Sequence, residues 1–236
     1  MNWSNEFWDS RNGADELHVL ESLQPHKNLE KFTVAFYDGS KFPSWIGDPS
    51  FSTMVELNLG ECDEALLRGD EVDLRSLATL ELKKISRLNC LRIGFTRSLG
   101  ALQELAIEDC GGLTCSWEEQ GVPCNLKILR IYHCANLDKL PNGLQTLTCL
   151  EELQIRRCPN LELFADSGLP LMLRQLQVSN CKGLKWLPHN YSSCALESLD
   201  ISYYCPSLVF TSLQYLHLRY YPNLRNQSAF TASHTL

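Results

Sequence analysis

The chain has 236 residues, 42 of them leucine and 11 cysteine, with 44% hydrophobic content. That is enough apolar material for a substantial core and too much for a disordered or fibrous chain. A formal net charge of −7, from 21 basic and 28 acidic residues, provides no basic field to gather phosphates, so neither nucleic acid nor an anionic membrane surface is an expected partner.

From the N-terminus, MNWSNEFWDSRNGADE has neither a basic start nor an apolar run long enough for a secretory signal, and no stretch approaches 18 consecutive apolar residues. The expected address is the cytoplasm. The sequons at Asn2, Asn190 and Asn226 are then chance matches, because glycosylation needs the secretory route. An odd number of cysteines without a CxxC pair fits free thiols in a reducing compartment better than a disulfide framework. Residues 1–28 read as a partial repeat carrying a short helix, since DELHVLESL (Asp15 to Leu23) opens on an aspartate and spaces its apolar residues helically.

Residues 29–224 tile into nine units. The string L-x-x-L-x-L-x-x-C starts at Met54, Leu102, Leu126, Leu150 and Leu173, with variants at Leu29, Leu77, Leu196 and Leu213. From Leu29 to Leu196 the mean step is about 23.9 residues, within the 20 to 29 range of leucine-rich repeats. In each unit two inward residues alternate along a strand, as Leu129 and Ile131 do, and one coil covers the open core of the next. The spacing therefore predicts an α/β solenoid with a concave parallel β-sheet and an irregular or short-helical convex side. Leu105, Leu129, Leu153, Leu176 and Leu199 share one motif place and should stack as an inward column. PNGLQTLTCL (Pro141 to Leu150) is expected on the convex side, and Trp45 and Trp117 read as convex packing or loop residues.

Cys62, Cys110, Cys134, Cys158 and Cys181 occupy one place, where the chain leaves the strand and bends inward. A small thiol fills that space and can donate to a backbone carbonyl. Zinc needs four ligands converging on one ion, which a column of cysteines one coil apart does not supply. The Gly or Asn two residues later (Gly112, Asn136, Asn160, Gly183, Asn223) suits a turn of positive φ. Unit eight departs, with Tyr204 at the ladder place and Cys205 after it, which reads as a one-residue bulge. Residues 225–236 form a polar tail without the pattern of a capping element, and both end coils are expected to expose leucine.

Catalytic signals are absent. The sequence holds no GxxxxGK[ST], HExxH, GxSxG or EF-hand loop. His133 beside Cys134 suggests a nucleophile and base, yet an inward Cys134 would turn away from its neighbour. No catalytic residue, cofactor or metal site is expected.

Strand residues between the inward leucines project to solvent and form three columns across the units. These columns group Arg130, Tyr132, Gln154 and Arg156 beside Glu104, Glu108 and Glu152. Arginine and tyrosine are enriched at interface hot spots, so these seven residues are the candidate protein-binding surface.

The run from Leu20 to Cys62, with QPHKNL and KFPSWIGDPSF, and units such as LEELQIRRCPNLELF resemble the leucine-rich-repeat region of plant coiled-coil nucleotide-binding disease-resistance receptors. The resemblance implies a non-enzymatic module that recognises pathogen effectors or guarded host proteins and restrains the nucleotide-binding module of its parent receptor. The substrate-reading repeat domain of an F-box ubiquitin ligase is the alternative, although no F-box precedes the repeats. An enzyme with a cryptic thiol site is a third reading.

Overall fold

The computed structural model describes residues 13–23, 25–67, 72–114, 123–140, 143–162, 168–184, 194–202 and 214–219. Its strands are β1 (Lys31–Ala35), β2 (Glu56–Gly60), β3 (Thr79–Lys83), β4 (Glu104–Glu108), β5 (Ile128–Tyr132), β6 (Glu152–Arg156), β7 (Gln175–Ser179), β8 (Ser198–Ser202) and β9 (Tyr215–Arg219). They pair in sequence order in one parallel sheet. Five residues per strand is what one motif supplies, and each strand from β1 to β8 buries its second and fourth residues. The register matches motif place to motif place: Leu105, Leu129, Leu153, Leu176 and Leu199 are consecutive partners, none more than 2% exposed. The solenoid and its inward column agree with the reading of the sequence.

The connections back to the next strand run to between 12 and 20 residues, longer than the strands themselves. Among the described residues they contain α2 (Ile93–Arg97) and single 3-10 turns at Pro49–Phe51, Glu64–Leu67 and Leu144–Thr146. Pro141, Asn142 and Trp117 lie outside the described residues. No described helix is long and apolar enough to cross a membrane. Where three of the coils re-enter the sheet a small polar side chain ties them to the coil before: Thr53 Oγ1 donates to Lys27 O at 2.8 Å, Ser76 Oγ to Met54 O at 3.1 Å and Asn125 Nδ2 to Gly100 O at 2.6 Å. The sequence reading did not identify this tie.

The helix expected over 15–23 is α1 (Gly13–Ser22), and it docks on the first coil. Glu16, almost fully buried, accepts the Asp38 N–H at 2.8 Å, and Glu21 accepts both the N–H and the hydroxyl of Ser44 at 2.7 Å. Trp45 donates its indole N–H to Leu20 O at 2.9 Å and packs edge-on against Phe32, with ring centroids 5.1 Å apart. Trp45 is thus a packing residue. The first coil is covered where α1 lies on it, contrary to the expectation of a bare leucine face; the tail at 225–236 is outside the described residues.

The turn after each strand corrects the sequence reading. Positive φ falls one residue before the ladder place, at Phe36, Glu61, Lys84, Asp109, His133, Arg157 and Asn180, with φ between 52° and 58°. Gly112, Asn136, Asn160 and Gly183 are not among the residues of positive φ; Asn223 lies outside the described residues. Gly112 and Gly183 answer to close approach instead: a Cβ there would lie 2.5 Å from Ser86 O and 2.6 Å from Pro159 O. Left-handed backbone costs a non-glycine residue about 1–2 kcal/mol. Here it aims the N–H at the next coil. Lys84 N donates to Glu108 O at 2.8 Å, His133 N to Arg156 O at 2.9 Å and Arg157 N to Ser179 O at 2.8 Å, and the following residue turns into the core.

That following residue is the ladder. Cys62, Cys110, Cys134, Cys158 and Cys181 are buried, and each thiol lies within donating distance of the carbonyl two residues back, from 3.3 Å at Gly60 O to 3.6 Å at Arg156 O. Burial pushes the Cys62 thiol up to about 11 and the Cys110 thiol up to about 12. The neighbouring thiols of Cys134 and Cys181, together with burial, raise Cys158 as well. At Cys62, Cys110 and Cys158 the thiol is thus held protonated, a poor nucleophile and a poor ligand. One expectation fails: Cys90 is disulfide-bonded, although the eight other described cysteines are free. Tyr204 and Cys205, the proposed bulge, lie outside the described residues, as do Asn2, Asn190 and Asn226.

Candidate binding face on the solvent side of the sheet

The first, third and fifth residues of each strand form the three columns that alternation requires. Across β4, β5 and β6 the partners are Glu104, Ile128 and Glu152, then Ala106, Arg130 and Gln154, then Glu108, Tyr132 and Arg156. All seven candidate residues therefore sit on this face, on three adjacent strands.

Six of the seven form one connected network. Arg130 lies between two carboxylates, hydrogen-bonded to Glu104 and 3.5 Å from Glu152 Oε1. Gln154 donates its amide to that Glu152 oxygen and accepts the Tyr132 hydroxyl on its own Oε1. The Arg156 guanidinium stands over the Tyr132 ring, 5.3 Å from the centroid, within the range of a cation–π contact. Burial raises the Tyr132 hydroxyl above its ordinary value, with the two nearby arginines opposing the shift. Glu108 stands apart from the network, paired with Lys83 Nζ at 2.8 Å, and this bond holds the Lys83 ammonium above its usual range.

The two arginines are in different states. The charge of Arg130 is met inside the chain, and its side chain is only 27% exposed. Arg156 is exposed and held by a neutral group: Gln177 Oε1 accepts from both its Nε, at 3.2 Å, and its Nη2. Gln177 in turn donates to Asp200 Oδ2 at 2.9 Å. Beyond the strand end, Arg157 Nη1 lies 3.2 Å from His133 Nε2. A guanidinium has no acceptor, so in this contact the guanidinium donates and Nε2 accepts.

Sequence reasoning left Gln177 and Asp200 out of the candidate patch because it confined the patch to three strands, and missed His133 and Arg157 because it took the face to end at the fifth strand residue. The Arg156–Arg157 pair was the available signal. No group of three or more potential metal ligands converges among the described residues, and His133 faces Arg157 while Cys134 is buried. The two therefore do not form the nucleophile and base pair that their adjacency suggests.

Residues 1–92 and 96–158 match the family described as R13L1/DRL21 LRRs. An Arabidopsis thaliana protein named for disease resistance is 30% identical over 174 residues, covering 71% of this chain and 11% of its own length. The disease resistance RPP13-like protein 1 of the same plant is 28% identical over 207 residues, 83% of this chain and 18% of its own length. A Solanum bulbocastanum protein named for disease resistance, RGA4, is 27% identical over 221 residues, 90% of this chain and 20% of its own length. The chain thus spans a fifth or less of the curated relatives it matches. Among solved structures, the leucine-rich repeat domain of the type III effector XopL superimposes with a TM-score of 0.52 at 21% identity, over 91% of this chain and 82% of that one, a likeness of fold.

Proposed function

This chain belongs to the R13L1/DRL21 leucine-rich-repeat family as the repeat domain of a plant disease-resistance protein, and from that membership we propose that it is a non-enzymatic recognition module of plant immunity. On this reading it acts in the cytoplasm, where its concave face meets a pathogen effector or a guarded host protein and contributes to restraining the nucleotide-binding module of a longer receptor. The observation that carries the reading is the network across β4 to β6: Glu104, Arg130, Tyr132, Glu152, Gln154 and Arg156 hold one another in fixed places on a solvated surface. Side chains already ordered lose less entropy when a partner arrives, and aromatic and arginine residues supply the anchors.

The test is a split-reporter screen of this chain against panels of pathogen-secreted and host proteins, followed by titration of each hit with purified variants. Tyr132→Ala is expected to weaken a true hit at least tenfold, and Gln145→Ala, in the 3-10 turn away from the sheet, less than twofold. Hits that resist the sheet-face change and yield to Gln145→Ala would overturn the reading.

A further inference from the structure

Where the sheet face meets the row of left-handed turns there is a hollow of about 530 Å3, and Tyr132, His133, Arg156, Arg157, Gln177 and Asn180 contribute to its lining. Arg156 and Arg157 are consecutive, yet one ends a strand and the other is the left-handed residue after it, with φ 55°. Both line the same hollow, and among the described residues neither forms an ion pair with a carboxylate. Two carboxylates do border the hollow: Glu108 is paired with Lys83 at 2.8 Å, whereas Asp200 accepts, among the described residues, only from the neutral Gln177 amide, at 2.9 Å, and is not itself ion-paired with either arginine.

Both guanidinium groups are positioned in advance. Arg156 is stacked on Tyr132 and held by Gln177 Oε1 through two of its five N–H donors, and Arg157 spends one on His133. The donors left over have the fork geometry that fits a carboxylate. Neither guanidinium has a carboxylate partner among the described residues, and an incoming carboxylate supplies one. The rest of the lining suits a polypeptide: the Ser179 and Ser202 hydroxyls and the Asn180 amide are neutral groups that can both donate and accept.

We infer that this hollow is a subsite for an acidic peptide segment, in which Asp or Glu carboxylates of the partner protein bind Arg156 and Arg157. The inference rests on the recognition reading above and adds the chemistry of the partner: the segment presented to this rim is acidic, even though the chain itself is acidic overall.

The probe is a fluorescein-labelled hexaglutamate peptide, titrated by anisotropy at low ionic strength against the full chain. Binding is expected, weakened about three- to tenfold by Arg156→Gln or Arg157→Gln and more than tenfold by the double variant. Lys127→Gln, an equal charge change at an exposed residue outside the hollow, should alter it less than twofold. The three arginine variants touch only exposed side chains and should keep the parent circular dichroism. Equal affinity for parent and double variant would overturn the subsite, as would an effect of Lys127→Gln as large as that of the arginines. Stronger competition by a hexathymidylate oligonucleotide than by unlabelled hexaglutamate would also overturn it, by assigning the site to nucleic acid. The two readings fail separately: a partner that needs Tyr132 and Glu104 but is indifferent to Arg156→Gln/Arg157→Gln removes the acidic subsite and leaves the recognition face. Hexaglutamate binding that follows the arginines, with every partner mapped to the convex side, does the reverse.

Discussion

The turn after β3 offers a measurement of what the solenoid costs its own backbone. Lys84 has φ 54°, is exposed, and is ion-paired with Glu61 at 3.0 Å. Lys84→Gly and Lys84→Val both delete that surface pair, worth about 0–1 kcal/mol, so their difference isolates the backbone. Glycine removes a left-handed penalty of about 1–2 kcal/mol and gives back about 0.5–1 kcal/mol in unfolded-chain entropy, leaving the glycine variant within about 1 kcal/mol of the parent. Valine carries two branches on Cβ, for which positive φ is a true outlier, and should lie at least about 1 kcal/mol below lysine. The expected gap between the variants is about 2 kcal/mol, or about 1 M in urea midpoint for a slope near 2 kcal/mol per molar. Equilibrium urea denaturation followed by far-ultraviolet circular dichroism reads it directly. A valine variant as stable as the glycine variant would refute the claim that this turn is held left-handed against a steric cost.

Three further outcomes follow from the same packing. Leu153→Ala, fully buried between Leu129 and Leu176, should lose about 2–5 kcal/mol, while Leu216→Ala in β9, 41% exposed, should lose under about 1 kcal/mol, since less apolar area returns to water; a loss below about 0.5 kcal/mol at Leu153 in urea denaturation contradicts its core placement. With iodoacetamide at neutral pH and mass mapping, Cys124, exposed, and Cys149, half-buried, should label before any ladder cysteine; native labelling of Cys134 or Cys158 at the rate of Cys124 would show that the ladder is open to solvent. Raised thiols also set an alkaline limit. Cys62 and Cys110 keep their protons up to about 11 and 12 when folded, against 9.0 for an ordinary thiol. Between those values the unfolded chain binds fewer protons than the folded one, so stability falls as pH rises through this window; a urea midpoint that rises from pH 8 to pH 10 would reject the shift.

The sheet was legible in the sequence because its register and its burial are one signal. A repeat near 24 residues brings the same motif place back beside itself, and a slip of one residue would turn Leu129, Leu153 and Leu176 out to solvent. The left-handed turns were not legible. Their residues, Phe36, Glu61, Lys84, Asp109, His133, Arg157 and Asn180, share no chemistry and include no glycine. The conformation there is imposed from both sides, by a strand that must end hydrogen-bonded to the next coil and by a ladder residue that must turn inward. Glycine sits two residues past the ladder cysteine in two coils, where the reason is the preceding coil's carbonyl within 2.6 Å of the missing Cβ. The side-chain tie at Thr53, Ser76 and Asn125 escaped notice for a similar reason: three different residue types perform one task.

On the candidate face, the columns could be read from alternation, but the partners chosen within them could not. Arg130 and Arg156 looked equivalent as outward arginines on neighbouring strands. The structure separates them by what lies across the sheet: carboxylates on both sides of Arg130, and a neutral Gln177 beside Arg156. Truncating Arg130 would leave Glu104 and Glu152 facing one another without their cation, so its loss disturbs the surface before any partner is considered. Truncating Arg156 removes a guanidinium from a tyrosine ring and a glutamine, neither of which carries a charge to be stranded. An effect of Arg156→Ala on binding is therefore a direct reading of contact, whereas Arg130→Ala mixes contact with collapse of the network. The difference decides which arginine belongs in an affinity titration and which in a stability measurement. It also accounts for why a face with several acidic residues can still present positive charge, since Glu104, Glu108 and Glu152 are paired with Arg130 or Lys83 and Arg156 and Arg157 have no carboxylate partner among the described residues.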